Sequence, residues 1–394
     1  MKVMVVADLH ITFRNVITRE DSVRVLRVLP DLARRGRAHA ILVAGDTFDA
    51  RRPTHEEVRA VVRAIRDLAE TAPVVVIPGN HDADQPGRGV WDLLADVAPE
   101  GVTVCTGPEI VDLRSHGRAL PLVIATLPYG DVSEGAAAGS DAVGVMLGLA
   151  ARCAAEAPDV PAVLVAHCEV EGAIPGVENR LLQTGSMLQR SSLAMVDYVR
   201  AIVLGHVHKR QLLLERPLAF YAGSPVCRRH DEASDPHGVG WLSVSLDNDE
   251  VSIDYEDIPG RRWSTICVGL RPEDAQGLAQ AVLEASGAGI ERGDVVRVMV
   301  TASREVSVPV DAVTDALRKL GVAQVAVERV VPEGDRAPLR LPEVGKAADP
   351  TEALVHYLAA VRPDMPDEER DYVLQLHRAL SSNEGGAALE AAAG

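Results

Sequence analysis

Along the first 260 or so residues, short and nearly continuous apolar runs alternate with segments of helical periodicity. Residues 2–7 (KVMVVA), 40–44 (AILVA), 74–77 (VVVI), 162–166 (AVLVA) and 201–204 (AIVL) show almost no polar alternation. That is the pattern of strands covered on both faces. Between them, Val58, Val61, Val62, Ile65 and Leu68 recur at helical spacing behind Thr54 and Glu57. Thr54 and Glu57 have capping-box spacing and predict a helix start. A second helix is predicted over about 19–35. Pro30 should kink or break it, because proline lacks the backbone donor and crowds the preceding turn. Strands at 218–222, 239–246 and 250–256 follow without helices between them, which predicts an antiparallel second half of the sheet.

The pattern changes beyond residue 260. The order there is strand (263–268), helix (272–286), strand (294–301), helix (309–320), strand (322–331), a small α+β domain. Residues 332–349 are rich in Pro, Gly and charge and read as a linker. Asp349-Pro350 supplies an N-cap and a first-turn proline for a short helix carrying Leu354, Tyr357, Leu358 and Val361. A second helix carries Tyr372, Val373, Leu376 and Leu380, and the Gly/Ala-rich tail should be disordered. The expected division is a catalytic domain over 1–260, an α+β domain over 261–331, a linker over 332–349, a helical pair over 350–381 and a tail over 382–394.

Composition narrows the possibilities. With 394 residues, 47% of them hydrophobic, the chain can bury a large core, and aliphatic residues must fill it because aromatics make up 3%. The five cysteines form no C-x-x-C pair and read as reduced core residues, with Cys168 pointing away from the side chain of His167. The first apolar run is too short for a signal peptide, and no stretch approaches the roughly 18 apolar residues that span a bilayer. A cytoplasmic protein is expected. A net charge of −17 argues against a general nucleic-acid binder.

The chemistry lies at the strand ends. Asp8-Leu9-His10 follows the first strand, Gly45-Asp46 the second, Pro78-Gly79-Asn80-His81-Asp82 the third, His167 the fourth and Gly205-His206-Val207-His208 the fifth. One Asp or His at a strand end is ordinarily a turn former. Five coinciding strand ends, holding five of the twelve histidines, point to one shared rim. Carboxylate, imidazole and amide oxygen together suit Mn²⁺, Fe²⁺ or Zn²⁺ better than an all-oxygen Mg²⁺ or Ca²⁺ cage. Two divalent cations against Asp8 and Asp46 would leave positive charge for a phosphodiester and its transition state. Basic pairs follow three motifs, Arg51-Arg52, Lys209-Arg210 and Arg228-Arg229, and could form a collar for a polyanion or be ordinary solvated surface.

In this order the blocks D-x-H, G-D, G-N-H-D, His and G-H-x-H resemble the calcineurin-like metallophosphoesterases. Gly45-Asp46-Thr47-Phe48-Asp49, Leu127-Pro128-Tyr129 and Tyr221-Ala222-Gly223-Ser224-Pro225 resemble more finely the SbcD-type DNA exonucleases. The resemblance covers residues 1–256, and 263–331 by layout alone. It implies an α/β fold, a four-layer α-β-β-α sandwich with a small α+β capping domain and C-terminal helices. It also implies two divalent metal ions, manganese being the expected one. Asp8, His10 and His208 would hold one ion, Asn80, His167 and His206 the other, with Asp46 bridging. His81 would protonate the leaving oxygen, oriented by Asp82. Arg51, Arg52, Lys209 and Arg228 would contact substrate. The implied partners are DNA, a coiled-coil SbcC-type ATPase and a second copy of the chain; the C-terminal helices either grip that ATPase or pack onto their own domain. A departure is the run Asp8-Leu9-His10-Ile11-Thr12, where the family commonly has Trp or Thr before the first His. The segment Glu169–Ser192 reads as a long loop leaving the rim, a substrate-contact candidate or a surface insertion. A small-phosphodiester enzyme would carry the same motifs, whereas a non-catalytic scaffold would be expected to have lost some.

Overall fold

The computed structural model describes residues 1–82, 89–115, 119–129, 138–174, 187–271, 276–332, 349–362, 365–366, 370–375 and 377. The chain opens with β1 (Lys2–Val6), α1 (Val16–Gly36), β2 (Ala40–Ala44), α2 (His55–Ala69), β3 (Val74–Ile77) and α3 (Val90–Asp96). Then come β4 (Val102–Val104), β5 (Glu109–Asp112), β6 (Val123–Leu127), α4 (Ala138–Glu156), β7 (Ala162–His167), the single turn α5 (Arg190–Leu193) and β8 (Ala201–Gly205). Four strands follow: β9 (Gln211–Glu215), β10 (Leu218–Tyr221), β11 (Gly238–Val244) and β12 (Val251–Asp257).

These strands make two six-stranded sheets, ordered β12-β11-β1-β2-β3-β4 and β5-β6-β7-β8-β10-β9. Alternate residues explain the continuous apolar runs. Val3, Val5, Leu42 and Val75 of the first sheet meet Ile124, Val163, Val203 and Phe220 of the second in one core. Their neighbours Met4, Val6, Ile41 and Val43 face α1 and α2 instead. Leu164, Ala166, Ile202 and Leu204 face α4 and its surroundings. The result is the four-layer α-β-β-α arrangement expected from the sequence.

Two local expectations are corrected. The second half of the chain is not a simple antiparallel extension. β10 runs parallel to β8, with Leu218 opposite Ala201, and pairs antiparallel only with β9, a strand the apolar pattern does not reveal. β11 and β12 return to the first sheet, where β11 pairs antiparallel with β1. Helix α1 runs unbroken through Pro30 and starts at Val16, where Asn15 and Thr18 form a capping box. Pro30 lies on its buried face with Leu26, Leu29 and Ala33, so packing offsets the one lost ladder bond. The predicted cap of α2 forms, with Thr54 Oγ1 accepting from Glu57 N and Thr54 N donating to Glu57.

Residues 263–330 follow the expected order, as β13 (Trp263–Gly269), α6 (Leu278–Ser286), β14 (Val295–Thr301), α7 (Val310–Lys319) and β15 (Gln324–Val330). The three strands are parallel in the order β13-β14-β15, and α6 and α7 pack on them and on each other. This layer belongs to one compact unit with the two large sheets, Met1–Thr301 with Val306–Val330.

A second unit comprises Ala302–Glu305 and Val331–Gly394. Its helix α8 (Pro350–Val361) is capped as predicted, Asp349 accepting from Thr351 N and Glu352 N. Leu358, Met365 and Leu374 form its small core with Leu354, Val355 and Val373. Residues 370–375 are helical, while most of the expected linker, Leu376, Leu380 and the tail lie outside the described residues. No described helix is long and apolar enough to cross a membrane. All five cysteines are free. Cys105, Cys153 and Cys168 are buried, but Cys227 is half-buried and Cys267 exposed, so these two are not core residues as expected.

Candidate metal centre

The C-terminal ends of β1, β2 and β3 in one sheet and of β7 and β8 in the other open onto the same place. Sharp backbone turns aim their side chains there. Asp8, His10, Asp46 and His206 all have positive φ, at 52°, 44°, 48° and 102°. Asp and His tolerate this region better than most residues, yet each such position stores on the order of 1–3 kcal/mol of strain. The turns are tied together, with Asp8 N donating to Gly45 O (3.0 Å) and His10 N to Asp46 O (2.9 Å). Two glycines permit the close approach. A Cβ on Gly205 would lie 1.9 Å from the Ala44 carbonyl oxygen, and one on Gly79 would lie 2.2 Å from Asp46 Oδ1.

Two donor groups hold the expected ligands, while among the described residues His10, Asp49 and His81 form a third group and Cys227, Glu232 and His237 a fourth. Asp8, His10 and His208 bring one ligand atom each within 4.8 Å of one another, and Asp46, His167 and His206 do the same. Asn80 joins the second group, its Oδ1 lying 3.1 Å from His167 Nε2 and 2.8 Å from His206 Nδ1. Asp46 Oδ2 stands between the groups, 3.7 Å from His10 Nε2 and 3.4 Å from His167 Nε2. All seven expected ligands therefore converge.

The cluster fits divalent cations on its own chemistry. Asp8 Oδ2 is fully buried without a hydrogen-bond partner. His10 Nε2 and His208 Nε2 face each other at 2.9 Å, where two lone pairs need either a shared proton or a cation. Electrostatics favour the neutral, ligating ring at His10 and His206 but the protonated ring at His167. Burial raises Asp8 to about 6, against the opposing pull of His167 and His208. Burial, aided by His208, holds His10 well below its usual value. Burial and the charge of His167 bring His206 down to about 3, so both rings stay in the neutral, ligating form. Burial would also raise Asp46, but His167 and His10 hold it below the ordinary carboxylate range. Burial opposes a charge on His167, yet Asp46 and Asp8 lift its ring to about 9.

His81 lies beside this cluster, its ring 4.7 Å from that of His10 between centroids. Its Nδ1 is 3.0 Å from the Asp49 carbonyl oxygen, and its backbone N–H donates to Asp46 Oδ1 at 2.8 Å. Asp82, expected to orient His81, is engaged elsewhere. Its buried carboxylate accepts from Thr47 N, Phe48 N and Gly79 N. It thereby fixes the two loops that present Asp46 and Asn80, and the carbonyl of Asp49 holds the imidazole instead.

The basic collar divides. Arg51, Arg52 and Arg229 are exposed. Lys209 pairs with Asp235 at 2.9 Å, and Arg210 pairs with Asp257 while lying over the Tyr255 ring. Arg228 turns inward, donating to the Leu9 carbonyl and to Ser22 Oγ, and burial lowers its pKa. It braces the Asp8–His10 turn through the Leu9 carbonyl. Of the loop 169–192, residues 175–186 lie outside the described residues. Its two ends are joined, Glu171 N donating to Leu188 O at 2.7 Å.

Three contributors carry no sequence signal of their role. Glu232 is buried with its Oε1 2.8 Å from His208 Nδ1. Ser224 Oγ donates to the Asp8 carbonyl, and Tyr221 donates to the Cys168 carbonyl beside His167. Tyr221 and Ser224 at least lie in a recognised block, whereas no spacing rule links Glu232 to a histidine 24 residues earlier.

Paired donor groups with a carboxylate between them, and a histidine alongside, define a metal-dependent phosphoesterase centre. The sequence profile of the calcineurin-like phosphoesterases matches residues 1–210, and the chain belongs to that family. A curated relative from Rhodobacter capsulatus, the SbcD component of nuclease SbcCD, is 27% identical over 272 residues, covering 62% of this chain and 67% of its own. A solved dimetal phosphatase from Danio rerio shares 14% identity over 61% of this chain and 91% of its own, with a TM-score of 0.36. That score is too low to carry an argument.

Proposed function

We propose that this chain is a two-metal phosphodiesterase that cleaves DNA, working as the nuclease subunit of an assembly with a coiled-coil ATPase. The observation that carries the phosphodiesterase reading is the convergence of seven donors in two adjoining groups, one of them with a buried, partnerless oxygen of Asp8. The nuclease reading is supported by the likeness to an SbcD protein, which covers more of the chain than the family profile does.

In this reading Asp8, His10 and His208 hold one cation, and Asn80, His167 and His206 hold the other, with Asp46 between them. Bound divalent cations, manganese in the expected case, supply Lewis acidity toward the phosphate and lower the pKa of water. The protein's own groups do the rest. His81 donates its Nδ1–H to Asp49 O, which leaves Nε2 as the ring atom available to the scissile phosphate. A proton on Nε2 passes to the leaving oxygen. Asp82 acts as a positioning residue, since its three backbone bonds keep the Asp46 and Asn80 loops in register.

With a net charge of −17, contact with DNA has to be local. Arg51 and Arg52, exposed just after the Asp46 turn, are the basic residues best placed in sequence to supply it. The helical segment after Asp349, with Tyr357 and Tyr372 exposed, is the proposed grip for the ATPase. Residues 261–331 are proposed as the capping domain, and a homodimer in the cytoplasm as the working form.

The test is manganese-dependent degradation of linear double-stranded DNA beside bis-p-nitrophenyl phosphate. Cleavage of both, abolished in both by Asp46→Ala, supports the nuclease. Cleavage of the small diester alone, unchanged when the ATPase is added, favours a small-phosphodiester enzyme. The double variant Arg51→Ala/Arg52→Ala should weaken DNA cleavage and spare the small diester. Equal loss on both substrates would remove these residues from the DNA contact.

A further inference from the structure

Three consecutive residues at the turn His230–Glu232 reach in two directions. Glu232, 2% exposed, points at the metal centre, its Oε1 2.8 Å from His208 Nδ1. Asp231 accepts from Arg297 of β14 at 3.0 Å. His230 meets the ring of Trp263 of β13, with centroids 4.9 Å apart and planes at 72°. We propose that Glu232 is a positioning residue for His208, and that its turn couples that ligand to the β13–β15 layer. The inference rests on the reading of His208 as a metal ligand.

Glu232 is held from every side that matters. Its second oxygen accepts from Arg228 N at 2.8 Å, so the carboxylate cannot swing. Its carbonyl oxygen faces His237 Nε2 at 3.1 Å, while His237 Nδ1 faces Ser224 O at 3.1 Å. Ser224 in turn donates from Oγ to the Asp8 carbonyl at 2.9 Å. Two ligands of the same donor group, Asp8 and His208, are thus braced through one network. A carboxylate accepting from Nδ1–H fixes the tautomer that leaves Nε2 for the cation and raises its basicity. Nε2 of His208 does face the centre, 2.9 Å from His10 Nε2.

The link to the layer is geometric. His230, Asp231 and Glu232 share one 3₁₀ turn, so a displacement of Asp231 or His230 is passed to Glu232 through the adjoining backbone. The Asp231–Arg297 pair is partly exposed and adds little stability by itself. Its effect is on where the turn sits.

Manganese titration calorimetry on the intact chain tests both halves. Glu232→Gln should weaken one of the two sites by roughly 10–100-fold and leave the other unchanged. Arg297→Met, outside the donor cluster, should weaken the same site a few-fold, and its effect should vanish in the Glu232→Gln background. Wild-type affinity at both sites in Glu232→Gln overturns the positioning role. Wild-type affinity in Arg297→Met, or simple additivity, overturns the coupling. His208→Ala is the control, and it should lose one site outright. If it keeps both, the ligand reading fails, whatever Glu232 does. Should Glu232→Gln fail to fold in a thermal melt, Glu232→Asp, which keeps the charge but shortens the reach, gives the same reading.

Discussion

His81 stands beside the donor cluster, with its ring held by the Asp49 carbonyl and its backbone by Asp46. Binding and chemistry should therefore separate at this residue. His81→Ala is expected to retain both metals by elemental analysis while hydrolysis falls by roughly 10²–10⁴-fold, the usual contribution of a positioned proton donor. Loss of the metals with the activity would place His81 among the ligands. Gly79 makes the opposite case. A methyl group there meets Asp46 Oδ1 at 2.2 Å, so Gly79→Ala should displace the carboxylate shared by both groups. Calorimetry should find both sites weakened, with the global fold retained in circular dichroism.

At the level of the elements, α2 offers a quantitative check. Thr54 and Glu57 close a reciprocal cap, and Glu57 also accepts from Phe13 N at 2.6 Å near the Asp8–His10 turn. Thr54→Ala should reduce stability by about 1 kcal/mol in urea denaturation, within the range for lost N-caps. This cap was legible in the sequence, as were the five strands ending in donors, because each is a local pattern a few residues long. Most elements that went unread lack such a pattern, β6 being the exception as a fully buried apolar run with no donor at its end. β4, β5 and β9 are short and partly polar. α4 is built of Ala and Gly around Met146, Leu149 and Cys153, which blurs its periodicity. The inward turn of Arg228 and the reach of Glu232 to His208 depend on side-chain direction across long sequence separations. A run of residues carries no record of either.

For the whole molecule, the donors come from both sheets, so bound cations act as cross-links between the two halves of the sandwich. Ligands that bind only the folded state add about 2.7 kcal/mol at a concentration 100-fold above Kd. EDTA should accordingly lower the calorimetric melting temperature by several degrees, and manganese should restore it. An unchanged melt would count against cation binding at this centre. The removal also leaves the strained turns at Asp8, His10, Asp46 and His206 without compensation, which works in the same direction.

The place of β1 in its sheet has a consequence for the nascent chain. β1 is flanked by β2 on one side and by β11 on the other. Its partner β11 begins at Gly238, so it leaves the ribosome roughly 230 residues after Val6, an interval of about 10–50 s at 5–20 residues per second. Throughout that interval the run Lys2–Val6 offers one unpaired, apolar edge, the kind that seeds intermolecular pairing. Completion of the first sheet is thus timed by translation of residues 238–244.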